Sequence, residues 1–303
     1  NSLELAKYRN QLKEGDITLL GLISEGGQGL ATANNGRFIG VLAGTKYAER
    51  VQESRIEKIK SLNKEIGANY SLSGLTEIGI RELFDNLKEK YGRDIFGQGY
   101  LYRIIDNNEI ADVSKLSETE KLTGITGKRT FVPYDKGDKE GNRWYLQTPY
   151  YIDWSIENVA FLKSNSGKKG EGMPVVRNPQ FYFKEGFCWS DIHTVLIKSR
   201  LKGETVYDVK SMSLFPIVDS ISAKYLVCLI NSSFASKYSH EFLNNTSSFQ
   251  INDARRLPVI VPNKHQLNDF EKLFDKAYNI QLQKASLEIS VERVELELNK
   301  IQS

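Results

Sequence analysis

The sequence predicts an α+β fold, with mixed or antiparallel sheets, peripheral helices and a long helical element at the C-terminal end. Residues 46–66 and 75–91 have the charged, amphipathic pattern of helices. From residue 144 onward, aromatic and β-branched runs alternate with turn residues, which is typical of strands. Residues 264–302 repeat apolar side chains at the spacing of one long helix, a helix pair or a coiled coil.

The first 110 residues are predicted to mix short strands with helices. Apolar runs of strand length are separated by glycines, which favour turns, and by the two amphipathic segments above. The predicted elements are a helix over 1–14, a strand and Gly-rich turn over 17–32, a strand over 38–44, the two helices, and a strand over 99–105. Residues 115–147 are polar and Gly-rich, with a turn-like run at 134–144.

The rest of the chain is predicted to contain most of the strands. The large side chains Phe183 and Trp189 are expected in the core, because aromatic residues on a strand usually supply buried area. The predicted elements are strands over 144–154, 173–183, 187–199, 205–209 and 213–218, a helix over 224–243, and a loop over 248–262 that ends in a strand.

Composition limits the function. A formal net charge of +3 is mildly basic, so a polyanionic partner is compatible with the sequence but not required by it. Cys188 and Cys228 lie in apolar surroundings without metal-ligand spacing, which favours reduced core residues. We find no signal peptide and no apolar run long enough for a membrane span, and we expect a cytoplasmic protein. The start at Asn1, without Met, is interpreted as a segment of a longer protein.

The run "EGGQGLATANNGRF" at 25–38 looks at first like a phosphate-binding loop. A dinucleotide fingerprint needs G-x-G-x-x-G between a strand and a helix, and the glycines here have the order G-G-Q-G. A Walker loop needs G-K-S/T, which is absent. We therefore expect a tight turn in which the glycines supply positive φ angles.

Four segments together resemble a known family. "GLATANNGRF" (29–38) resembles the turn G-L-x-T-G-x-N-x-x-F that opens the target-recognition region of large bacterial DNA adenine methyltransferases, with Ala33 in place of the family's second Gly. Residues 178–192, 213–217 and 225–262 resemble further segments of that family in the same order. The matching residues are Gly29, Leu30, Thr32, Asn34 or Asn35, Phe38, Tyr182, Phe183, Glu185, Gly186, Trp189, Ser190, Asn231, Ser232, Phe249, Gln250, Asp253, Leu257 and Pro258.

The family includes type IIG restriction–modification enzymes and phage-exclusion (BREX-type) methyltransferases. The resemblance implies that 1–263 is a DNA target-recognition domain and that 264–303 is a helical spacer or docking arm. Residues 48–140 do not align and are interpreted as an insertion with helical content, or as a lobe of their own. The resemblance further implies double-stranded DNA and a catalytic methyltransferase domain or subunit as partners. S-adenosylmethionine would belong to the parent enzyme and no cofactor to this segment.

Other functions remain open. The chain also resembles, more loosely, the recognition domains of type I specificity subunits, so a separate specificity subunit is the alternative. A standalone nuclease is a weaker hypothesis, since "DVK" at 208–210 lacks a convincing partner carboxylate for Mg²⁺. The loop N/D-P-P-Y/F of adenine methyltransferases is reduced to Asn178-Pro179-Gln180-Phe181, which we interpret as a turn. Neither catalytic nor metal-binding residues are predicted.

The candidate DNA-binding residues lie in three polar loops, on one strand and after the opening turn. Phosphate binding favours Lys, Arg and Ser, and base readout favours Arg, Asn and Gln. The alternation of cations at 198, 200 and 202 would form a phosphate-binding stripe on an exposed strand. The alternatives are solvated loops, a helix-capping turn and, for Arg37, packing on the catalytic domain. The candidates are Arg37, Lys128, Arg129, Lys168, Lys169, Arg177, Ser190, His193, Lys198, Arg200, Ser248, Gln250, Asn252, Arg255 and Arg256.

Overall fold

The computed structural model describes residues 2–92, 101–138, 141–190, 196–244, 246, 248–286 and 291–302. The α+β prediction is confirmed, and so is the long C-terminal helix. The helices are α1 (Ser2–Gln11), α2 (Leu20–Ile23), α3 (Asn35–Phe38), α4 (Lys46–Ile66), α5 (Glu77–Tyr91), α6 (Glu118–Thr123), α7 (Ile156–Ser164), α8 (Ala223–Ile230), α9 (Ser233–Tyr238), α10 (Ile251–Ala254), α11 (Lys264–Ala285) and α12 (Val291–Gln302). The strands are β1 (Ile17–Leu19), β2 (Ser24–Gly27), β3 (Ile39–Leu42), β4 (Arg103–Ile105), β5 (Phe131–Asp135), β6 (Tyr150–Asp153), β7 (Gly186–Trp189), β8 (Ser199–Lys202), β9 (Val206–Tyr207), β10 (Ser213–Pro216) and β11 (Pro258–Ile260).

The chain divides into two compact units, each formed by separate stretches of sequence. The first unit contains residues 1–29, 135–147 and 178–303. The second contains residues 30–134 and 148–177. None of the helices in the described ranges is long and apolar enough to cross a bilayer.

The first unit is built on an antiparallel sheet in the order β2-β10-β7-β8, with a separate antiparallel ribbon of β1 and β11. Its apolar core joins the sheet to α8, which is apolar along most of its length, and to α11. The ring of Phe274 on α11 is fully buried in this core, and Phe270 packs edge-on against Tyr225 at 5.0 Å. The start of α11 is fixed by a capping box between Asn263 and Gln266.

The second unit is built on a mixed sheet in which β3 is central. It pairs in parallel with β4 and antiparallel with β6, which in turn pairs antiparallel with β5. The long helix α4 begins at the N-cap Thr45 and ends at Gly67, whose φ of 66° is the left-handed geometry that glycine allows. Buried apolar residues of α4 and α5, such as Ile59 and Phe84, form a core of their own.

Several predicted elements are corrected by the structure. The predicted strand over 173–183 is wrong, because this segment has only an isolated antiparallel bridge at Val175 and a 3₁₀ turn over Pro179–Phe181. The Gly-rich stretch after residue 23, predicted as a turn, is partly the strand β2. Parts of the predicted strands over 99–105 and 187–199 lie outside the described residues.

The glycines at 26, 27 and 29 are needed for backbone geometry and close packing. Gly26 and Gly27 have φ angles of 136° and 147°, as the sequence analysis expected. Gly26 lies in β2 against β10, where a Cβ atom would approach the Ser213 carbonyl oxygen to 2.4 Å. At Gly29 a Cβ atom would lie 2.0 Å from the Tyr207 carbonyl oxygen. Backbone geometry and close packing therefore explain the presence of these glycines without a bound phosphate.

Replacing Gly29 by alanine is expected to lower the free energy of unfolding by about 1–3 kcal/mol, because the added methyl group must displace backbone atoms. Gly203 is the matched control, since it has nothing within 4 Å of an added Cβ and no positive φ angle. Urea denaturation of G29A and G203A would measure both effects. Equal stability of the two variants would contradict the steric explanation.

Candidate nucleic-acid interface

An open cleft in the second unit contains two of the predicted cations. Its lining residues include Lys128, Arg129 and Arg103, and its volume is about 550 Å³. Lys128 and Arg129 are exposed, whereas Arg103 is half-buried. Glu109 also lines the cleft and forms an ion pair with Arg103. In the described part of the chain, three cations and one carboxylate therefore line this concave surface.

Local capping and bridging fix the geometry of the cleft. The chain leaves β4 into a tight 3₁₀ turn, in which Asp106 and Glu109 form a capping box. On the other side, the segment before β5 is held by a bridge between Ile125 and Ser155. Gly127 then turns the chain with a φ of 92° before the two exposed cations. Arg103 and Glu109 were not predicted from the sequence, although the pattern D-x-x-E at 106–109 indicates a capping box.

The loop between α7 and residue 177 presents two further predicted cations, Lys168 and Lys169, which are both exposed. Its base is closed by a hydrogen bond from the Gly167 amide to the Pro174 carbonyl oxygen, at 2.9 Å. The Lys168 ammonium group lies 3.2 Å from the Asn165 side-chain oxygen, an exposed contact that solvent weakens. Arg177, at the end of the loop, is half-buried.

The polar segment at 248–256 lies in the first unit around the short helix α10. Gln250, Asn252 and Arg256 are exposed there, and Ser248 is half-buried. The Gln250 side chain donates to the Ser248 hydroxyl at 2.6 Å and takes part in a capping box with Asp253. Of the candidate DNA-binding residues in this segment, Gln250, Asn252 and Arg256 are thus presented at the surface around α10.

Arg255 occupies a different environment from its neighbour Arg256. Its guanidinium donates to the Gly26 carbonyl oxygen at 3.1 Å, and its side-chain carbons pack against Gly21. The side chain is half-buried, so it connects α10 to the start of the chain. Placing Arg255 at a base edge would require breaking this connection.

The predicted phosphate-binding stripe on β8 is wrong, because its cations face inward. Arg200 is 3% exposed and Lys202 is 2% exposed. Arg200 donates to Asp135 at 2.8 Å, and Lys202 donates to the Thr205 hydroxyl at 3.0 Å. Lys198, before the strand, is half-buried. The alternating cations of this strand therefore belong to a buried ion cluster and do not form an exposed stripe.

The pKa values of the two cations of this cluster shift in opposite directions. Desolvation lowers the pKa of Lys202 to about 8, although the Asp135 carboxylate opposes that change. Desolvation would also lower the pKa of Arg200, but the Asp135 carboxylate at hydrogen-bond distance holds it above its ordinary value. The cluster therefore depends on Asp135 for its charge balance.

Of three other candidates, two are buried or half-buried and one lies outside the described residues. Ser190 is 4% exposed, which contradicts its prediction as a DNA-binding residue. Arg37 is half-buried with its guanidinium 3.7 Å from the centre of the Phe161 ring, and it also donates to the Asn158 side chain at 3.3 Å. His193 lies outside the described residues.

Two of the residues that carry the resemblance, Asn231 and Trp189, stabilise the fold. The Asn231 side-chain amide makes two hydrogen bonds with the backbone of Ser199, at 2.8 and 2.9 Å, and so fixes the start of β8. The Trp189 indole donates to the Phe249 carbonyl oxygen at 2.8 Å, and its expected place in the core is confirmed. Ala33 has a φ of 52°, the left-handed geometry that glycine adopts more readily than alanine.

The segment Asn178–Phe181 forms a turn, as expected. Asn178 has a φ of 50° and its side-chain amide donates to the Gln28 carbonyl oxygen at 2.9 Å. The Phe181 ring is buried and stacks on Phe215, with ring centres 4.6 Å apart and planes 8° apart. Because the Phe181 ring is buried and stacked on Phe215, it is not available to stack on a flipped base.

One comparison with curated proteins supports the methyltransferase resemblance. The chain is 24% identical over 214 residues to the adenine-specific methyltransferase PglX of Lacticaseibacillus casei (strain Zhang). The chain is similar to part of an adenine-specific methyltransferase. The alignment covers 70% of this chain and 17% of the length of that relative. A scan against family models finds no match.

Proposed function

We propose that this chain is a DNA target-recognition segment of an adenine-specific methyltransferase system of the restriction or phage-defence type. The observation that supports this function best is the set of exposed cations in the second unit, at Lys128, Arg129, Lys168 and Lys169. The formal net charge of +3 belongs entirely to that unit, because the first unit has equal numbers of acidic and basic residues. A surface with this charge attracts the phosphates of DNA.

The two units would make different contributions to DNA binding. The cations of the second unit would neutralise backbone phosphates, which gives affinity without sequence preference. The exposed Asn252 and Arg256 of the first unit have the side chains that pair with adenine and guanine edges in the major groove. Base readout is therefore assigned to the segment around α10.

In the parent protein, a catalytic methyltransferase domain or subunit would bind S-adenosylmethionine and act on the adenine that this segment places. The buried stacking of Phe181 supports a catalytic site outside this segment, because the ring at the end of the 178–181 turn packs in the core. A separate specificity subunit, which assembles with the catalytic chain, is the second candidate. The two candidates are distinguished by whether one polypeptide contains both the recognition segment and the catalytic methyltransferase domain.

The function is tested by selecting binding sites for the chain from a randomised duplex library at two salt concentrations. Enrichment of one short asymmetric motif would support target recognition. Salt-dependent binding without enrichment would assign base readout to another part of the parent protein. Failure to bind duplex DNA even at low salt would contradict the proposed function.

Reversing the charges of Lys168 and Lys169 to glutamate is expected to weaken binding to all duplexes alike. Each lost phosphate contact should reduce the slope of log affinity against log salt by about 0.9. Fluorescence anisotropy over a salt series measures both quantities. The matched control reverses Lys272 and Lys276 to glutamate, because these two exposed lysines are on α11 of the first unit and give the same change of net charge. An unchanged slope in the Lys168/Lys169 variant would contradict the contact between this loop and DNA.

A further inference from the structure

The cleft that contains Lys128 and Arg129 combines positive charge, openness and hydrogen-bond donors. Its described lining residues also include Asn108, Gly127 and Thr130, which contribute amide and hydroxyl groups. At Gly127 an added Cβ would have nothing within 4 Å, so this side of the cleft is open. The combination of cations with neutral donors around a concave surface is suited to a phosphate group.

The third cation, Arg103, is held in place on two sides. Its guanidinium lies 5.2 Å from the centre of the Phe131 ring, which fixes its position by cation–π contact. Its other partner is the Glu109 carboxylate, which also accepts a hydrogen bond from the Asp106 amide at 3.0 Å. Glu109 is therefore anchored by the capping turn and neutralises one of the three cations.

A second cleft of the same unit has the opposite balance of charge. It is lined by Asp85, Glu89, Glu171 and Lys88, so negative charge exceeds positive charge there. An anion would be repelled from that surface and attracted to the first cleft. The two clefts differ in sign although they belong to one compact unit.

We propose that the cleft of Arg103, Lys128 and Arg129 binds a phosphate group, and that Glu109 limits its affinity by competing for Arg103. The inference rests on the proposed function, in which the ligand is a backbone phosphodiester of duplex DNA. When a phosphate binds, it replaces the Glu109 carboxylate as the acceptor of the Arg103 N–H groups. The carboxylate stays hydrogen-bonded to the Asp106 amide.

Glu109→Gln tests this competition, because glutamine keeps the shape and can still accept from the Asp106 amide. Affinity for duplex DNA should rise by about two- to five-fold, the size of an exposed charge interaction. Glu89→Gln makes the same change of net charge in the acidic cleft of the same unit and is the matched control. An equal rise in both variants would overturn the role of Glu109, since it would reflect net charge alone.

Lys128→Gln with Arg129→Gln tests the cleft itself. The double variant should bind DNA about ten-fold more weakly. Its slope of log affinity against log salt should fall by the amount expected for about two phosphate contacts. Inorganic pyrophosphate is the second probe, measured by titration calorimetry on the whole chain. An unchanged thermal midpoint shows that each variant is folded.

The two probes distinguish the proposals. DNA binding and pyrophosphate binding that both persist in the double variant would overturn the cleft proposal and leave the proposed function intact. If the wild-type chain fails to bind DNA but binds pyrophosphate through Lys128 and Arg129, the phosphate site is supported and the proposed function is contradicted. Loss of both kinds of binding in the double variant supports the site with DNA as its ligand.

Discussion

Replacing Asp135 by alanine is expected to lower the free energy of unfolding of the first unit by about 3–5 kcal/mol, because it leaves buried positive charge without its main partner. Asp135 is 6% exposed and accepts from Arg200 at 2.8 Å and from the Ser211 hydroxyl at 3.0 Å. Arg200 would keep only the longer 4.0 Å contact with Asp138 among its two described ion pairs. Lys202 would lose the nearby carboxylate that opposes its desolvation.

Asp269→Ala is the control for Asp135→Ala, because Asp269 lies on α11 of the same unit and pairs with Lys272 at the surface, where both side chains are substantially exposed. Removing that pair should cost about 0–1 kcal/mol. In a Trp154→Phe background, which removes the tryptophan of the second unit, denaturation followed by the fluorescence of Trp144 and Trp189 reports on the core of the first unit. A loss of stability in D135A no larger than in D269A would contradict the interpretation of this cluster.

Replacing Glu77 by alanine is expected to destabilise the second unit by a similar amount, about 3–5 kcal/mol. Arg55, on α4, is 0% exposed and makes two hydrogen bonds to the Glu77 carboxylate, at 2.7 and 2.8 Å. The same carboxylate accepts from the Ile104 amide at 3.1 Å, and Arg55 donates to the Tyr102 carbonyl oxygen. One side chain thus connects α4, α5 and β4, and its removal leaves a buried guanidinium.

Glu82→Ala is the matched control for Glu77→Ala, since Glu82 is an exposed glutamate on the same helix. Hydrogen exchange measured by mass spectrometry should show faster exchange of the amides of α4 and α5 in E77A than in E82A. The same experiment on D135A should show the largest change in β7 and β8. If E77A exchanges like E82A, the ion pair does not hold the helices and the prediction is wrong.

The local pattern of the sequence predicted many elements, because helix spacing and capping residues act over only a few positions. The charged segment at 46–66 is the helix α4, with the N-cap Thr45 and the C-cap Gly67 directly outside it. The apolar run at 38–44 contains β3, and the periodic segment after 263 contains α11. Segments whose structure depends on partners far along the chain were less well predicted. The segment 173–183 has strand-like composition but forms one bridge and a 3₁₀ turn.

The candidate site shows the same contrast between near and distant partners. Lys128, Arg129, Lys168 and Lys169 were placed in exposed loops from sequence, because glycine, serine and charge favour solvated turns over several residues. The cleft itself could not be predicted, because Arg103 and Glu109 lie about 20 residues or more before the two cations and meet them only in the folded unit.

By itself, the sequence determined the α+β class, the long C-terminal helix and the resemblance to adenine-specific methyltransferases. Only the tertiary structure decided which cations are available to a ligand. Arg200 and Lys202 alternate on a strand just as exposed cations would, and period-two spacing identifies a face without saying which side is buried. The direction of that face was decided by Asp135, which lies 65 residues earlier and compensates the buried charge of Arg200.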